Sequence, residues 1–110
     1  MSYEVRTISV FERQAKRLLK KYPSFINELR SLTEKLKQNP KGGIPIGHNC
    51  YKIRVAIKGK GKGKSGGARV IIHVIFKKNR VYLLSVYDKS ETANISDKEI
   101  KNLLKNLDNY

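Results

Sequence analysis

Between Glu34 and Asp88 the chain contains no acidic residue, while Lys52, Arg54, Lys58, Lys60, Lys62, Lys64 and Arg69 all fall inside that interval. Cations at this density hold phosphates: a guanidinium grips two oxygens at once and stays charged, and an ammonium adds a mobile point charge. Lys60, Lys62 and Lys64 alternate with glycines through Gly67. That pattern keeps a backbone free to follow a line of phosphates. Gly63-Lys64-Ser65 matches the end of a phosphate-binding nucleotide loop, but the first glycine of such a loop would fall at Lys58. The segment also leads into a strand where the motif requires a helix, so no nucleotide cofactor is expected. His73 titrates near neutrality without help and so has the chemistry of a catalytic acid or base, although a mid-strand histidine between Ile72 and Val74 is more often a packing residue. Two histidines, one cysteine and an acid-free basic strip offer no metal-ligand cluster, and no cofactor is expected.

These side chains need elements to position them. Tyr3 to Ile8 reads as a first strand, and Ser9 with Glu12 has capping-box spacing that predicts a helix lined by Phe11, Ala15, Leu18 and Leu19. Tyr22-Pro23 ends it, Pro23 serving as first residue of a second helix carrying Phe25, Leu29, Leu32 and Leu36 to about Gln38. The breaker cluster Asn39-Pro40-Lys41-Gly42-Gly43 starts an aperiodic stretch through Gly47. Strands are predicted at Cys50–Lys58, Arg69–Lys77 and Arg80–Lys89, then a helix opened by Ser96 and Glu99 and lined by Ile100, Leu103, Leu104 and Leu107. The expected fold is α+β: one domain over residues 1–110 in the order β-α-α-β-β-β-α, with a small antiparallel-rich sheet, an N-terminal helical hairpin and a C-terminal helix.

Alternation sorts the three later strands into two faces. Ile53, Val55, Ile57, Val70, Ile72, Val74, Phe76, Tyr82, Leu84 and Val86 form the apolar face expected to take the helices. Lys52, Arg54, Lys58, Arg69, His73, Ser85, Tyr87 and Lys89 fall on the other, which is expected to be an open basic surface.

With 24 Lys plus Arg against 9 Asp plus Glu, the formal charge is +15 and the partner expected by default is a polyanion. One cysteine, no charged-then-apolar leader and no apolar run of about 20 residues predict a cytoplasmic chain without a membrane partner.

Three blocks, Tyr51-Lys52-Ile53-Arg54-Val55, Gly61 through Val70 and Tyr82 through Ser90, occur in an order and spacing that resemble the RelE/ParE toxin superfamily, nearest its HigB-like branch. The resemblance covers nearly the whole chain. It implies a RelE-like fold and a type II toxin–antitoxin toxin, an mRNA interferase that inhibits translation. RelE-like members are endoribonucleases that cut mRNA in the ribosomal A site without metal, by attack of a ribose 2′-hydroxyl on its own phosphate. Implied partners are the ribosome, mRNA and a cognate antitoxin.

Carried over by position, Lys52 and Arg54 fall on the family's basic pair and Arg69 on its arginine after the glycines. Lys89 falls where RelE has an arginine. RelE's catalytic tyrosine would align near Ile95, so that group is missing, and Tyr87 is the candidate substitute. Arg69 and Arg54 then suit the phosphorane charge, Lys52 the base and Lys89 the acid, with Lys58, Lys60, Lys62, Lys64 and His73 as RNA- or ribosome-binding residues. The alternatives are a ParE-like gyrase inhibitor, against which the convergence of cations argues, and a non-enzymatic RNA-binding protein.

Overall fold

The computed structural model describes residues 2–58 and 66–107; Lys60, Lys62 and Lys64 lie outside the described residues. The elements are β1 (Glu4–Thr7), α1 (Ser9–Lys21), α2 (Phe25–Gln38), β2 (Ile44–Gly47), β3 (Cys50–Val55), β4 (Ala68–Ile75), a 3-10 turn (Phe76–Lys78), β5 (Arg80–Asp88) and α3 (Asp97–Lys105). The strands make one five-stranded sheet in the order β1-β5-β4-β3-β2. Only β1 and β5 run parallel. The α+β class and the helical hairpin are as the sequence predicts. One strand is additional.

That strand, β2, closes a hairpin on β3 through His48 and Asn49, both at positive φ of 57° and 56°. Two successive left-handed residues twist a two-residue turn to match its strands, a role usually signalled by Asn-Gly. Here histidine takes the first place, which hides the hairpin in the sequence.

Apolar spacing built both hairpin helices as expected, and Phe11, Ala15, Leu18, Phe25, Leu29, Leu32 and Leu36 are buried. Their starts differ. Ile8, not Ser9, is the N-cap of α1, and Glu12 instead takes a hydrogen bond from Thr7 Oγ1. α2 opens at Phe25 after Ser24, two residues later than Pro23. At the far end Ser96 and Glu99 do form the capping box that starts α3.

β5 is the central feature. Val81 through Asp88 are all buried, because elements cover both sides of the strand. Ile71 pairs with Ser85 but Ile72 pairs with Leu83, leaving Leu84 as the extra residue of a bulge. An extra residue reverses the alternation beyond it. Tyr82 therefore pairs with His73, away from the apolar face predicted for it, and Leu83 joins Phe11, Ile26 and Leu29 at the helices. β1 covers β5 only from Arg80 to Leu83. Beyond it, Gln14 of α1 closes the edge: its Oε1 accepts from Val86 N–H at 2.9 Å and Ser85 Oγ at 3.0 Å.

Candidate nucleic-acid interface

Adjacent strands bring the candidates into rows across the sheet. Arg54 of β3 lies opposite Arg69 of β4, which lies opposite Tyr87 of β5. Directly paired residues stand about 5 Å apart at Cβ, so two guanidiniums and a phenol are immediate neighbours. Lys52 sits two residues along β3 in the next row, across from Ile71.

Exposure within this row runs against the expected open surface. Arg54 is exposed, but Arg69 is only 3% exposed and Tyr87 9%. Burial lowers the pKa of Arg69, and the charge of Arg54 lowers it further, with Tyr87 acting the other way. Arg69 Nη1 donates to the carbonyl of Ala68 at 3.1 Å. The Tyr87 hydroxyl is buried and has no hydrogen-bond partner among the described residues. Burial raises its pKa, Arg69 opposes that shift and Glu99 adds to it. A phenol so placed holds its proton, which suits a donor better than a general base.

The basic face is also partly covered. Lys52 Nζ donates to Asn94 Oδ1 at 3.4 Å, and His48 Nε2 meets Asp97 Oδ1 at 3.1 Å, which fastens the start of α3 against β3 and its hairpin turn. Lys101, and after it His48, hold the Asp97 carboxyl below its ordinary pKa. The helices thus occupy both sides of the sheet, not the apolar side alone. Asn94 carried no advance signal, being a single polar residue in a polar stretch, and Glu99 was signalled only as part of the α3 cap.

Other candidates separate. β3 ends at Val55, three residues short of the predicted strand, so Lys58 leaves the basic face and pairs with Glu28 of α2 at 3.3 Å. His73 lies four residues along β4 from Arg69, about 13 Å away. It is half-buried with Nδ1 3.6 Å from Cys50 Sγ, and burial lowers its pKa, so it sits as a neutral packing residue. Burial also pushes the Cys50 thiol up to about 11. Lys89 is exposed just past β5, with its backbone N–H donating to Gly67 carbonyl at 3.0 Å. Gly67 itself has no alternative: a Cβ there would lie 2.5 Å from the Val55 carbonyl oxygen.

Among the described residues no helix is long and apolar enough to cross a membrane. The arrangement offers fixed cations at the bottom of a partly covered face, exposed cations at its rim, and one unpartnered phenol between.

A family model described as the RelE toxin of the RelE/RelB toxin–antitoxin system matches residues 7–109. Among solved structures, an arginine-to-alanine double mutant of E. coli toxin RelE in the free state is similar at a TM-score of 0.61 and 19% identity, over 96% of this chain and 97% of that one. A chain of the intact E. coli RelBE toxin–antitoxin complex matches at 0.54 and 18%, over 79% of this chain and 96% of that one. The toxin–antitoxin complex RelBE2 of Mycobacterium tuberculosis matches at 0.52 and 20%, over 80% and 92%.

Proposed function

The chain belongs to the RelE toxin family of the RelE/RelB toxin–antitoxin system, and from that premise we propose that it is a ribosome-dependent endoribonuclease that cleaves mRNA without metal and so stops translation in the cytoplasm. The observation that carries this reading is the row Arg54, Arg69 and Tyr87, with Lys52 beside it. Cleavage by a 2′-hydroxyl builds negative charge on the phosphorane and requires a proton taken from the nucleophile and one given to the leaving 5′-oxygen. Arg54, exposed, meets the phosphate oxygens. Arg69 beneath it supplies a fixed positive charge, and an oxyanion between the two relieves their mutual repulsion. The hydroxyl of Tyr87 donates to the same charge. Lys52, released from Asn94 and acting as the uncharged amine, takes the nucleophile's proton, and the Lys89 ammonium gives one to the leaving 5′-oxygen. A cognate antitoxin is the protein partner, in keeping with the RelBE complexes that share the fold. Such a partner covers the basic face with acidic side chains or a helix.

Purified protein added to programmed ribosomes is expected to leave new 5′ ends inside codons, read by primer extension, with cyclic phosphate and 5′-hydroxyl products. Arg54→Ala is the informative variant because Arg69→Ala also opens a buried space. It should reduce single-turnover cleavage by about 10²- to 10³-fold with little change in ribosome binding. Intact messages with trapped gyrase–DNA complexes would establish the ParE-like alternative instead.

A further inference from the structure

The turn between β4 and β5 carries a cluster that the arginine row does not use. Phe76 is 36% exposed, and Ile44 is the only other exposed large hydrophobic among the described residues. Lys41, from the segment after α2, places Nζ 5.4 Å from the Phe76 ring centroid. Lys77 and Lys78 follow in the same 3-10 turn, both exposed and neither in an ion pair among the described residues. The acid beside this turn, Glu4, is held by Arg80 at 2.8 Å and Arg6 at 3.0 Å, so it leaves the lysines unneutralised. An exposed aromatic ring standing alone means little. A ring with one ammonium over it and two more uncompensated lysines next in the chain has the composition of a stacking platform for a nucleic-acid strand.

We propose that Phe76, with Lys41, Lys77 and Lys78, is a second RNA contact, in which an unpaired base stacks on the exposed ring and the lysines take its flanking phosphates. Phe76 follows Arg69 by seven residues, so the contact lies about 23 Å along the sheet from the arginine row. It grips RNA outside the scissile dinucleotide and acts on affinity, not on chemistry. This deepens the ribonuclease reading and rests on its RNA partner. A membrane would need a broader apolar patch than one ring, and an acidic protein would use the lysines without needing an aromatic face.

The test uses the full chain and a fluorescein-labelled, eight-nucleotide single-stranded RNA of mixed sequence, followed by anisotropy. Phe76→Leu keeps an apolar side chain but loses the π-face, and should weaken binding roughly 5- to 100-fold, whereas Phe76→Tyr should bind as wild type. Lys77→Ala with Lys78→Ala should weaken binding and make the logarithmic salt dependence shallower by about 1.4. Single-turnover cleavage at saturating ribosome should stay unchanged in all three. Equal binding by Phe76→Leu and wild type overturns the proposal, as does a loss confined to an acidic protein partner. Loss of octamer binding in a protein that cuts no message would sustain this contact while removing the nuclease reading, so the two fail separately.

Discussion

Tyr87 is the residue whose surroundings bear most directly on the chemistry. A buried hydroxyl without a partner costs about 1–3 kcal/mol, so a side chain kept only for packing is better served by phenylalanine. Tyr87→Phe is therefore expected to raise the melting temperature and lower single-turnover cleavage on ribosomes; a variant with both raised stability and full activity would leave the hydroxyl without a role. Alternation along β3, β4 and β5 already placed Arg54, Arg69 and Tyr87 on one side, because side-chain direction in a strand follows from sequence position alone. Their depth was not readable. Arg69 is buried by residues distant in the chain, and nothing local to Ala68-Arg69-Val70 distinguishes a surface arginine from a covered one. His73 shows the reverse case, where its apolar neighbours Ile72 and Val74 did signal its half-buried setting beside Cys50.

At the level of elements, the bulge in β5 decides which side chains meet the helices. It was invisible because Val81 to Leu84 are apolar without interruption, and a strand covered on both sides has no alternation to break. Gln14 makes the bulged edge tolerable by accepting from both Ser85 and Val86. Gln14→Leu should leave Val86 N–H unsatisfied and destabilise the fold by about 1–3 kcal/mol, read by urea unfolding. An unchanged midpoint would mean that water replaces Gln14 at that edge. The capping boxes teach a related lesson, since Ser-x-x-Glu spacing occurs at Ser9 and at Ser96 but forms a cap only at the second. At the first, Thr7 competes for Glu12, and the spacing alone does not record that competitor.

For the molecule as a whole, class and helical order were legible from periodicity, whereas the β2–β3 hairpin and the covering of the basic face were not, because both depend on contacts between distant segments. The longest of these joins β1 to β5, where Glu4 pairs with Arg80 and Thr7 with Leu83. β5 is the strand between β1 and β4, so β1 is cut off from the rest of the sheet until the chain has been made past residue 80. Synthesis proceeds from the N-terminus, and a pairing this distant closes late. On the proposed ribosome-dependent activity, the chain would be incomplete for most of its own translation, and the order in which the strands emerge would delay its action on the ribosome making it. Stalled nascent chains whose emerged portion ends at residue 78 are expected to be digested by added protease, and those emerged through residue 107 to resist it. Resistance already at residue 78 would show that the first four strands hold together without β5, and that this delay is absent.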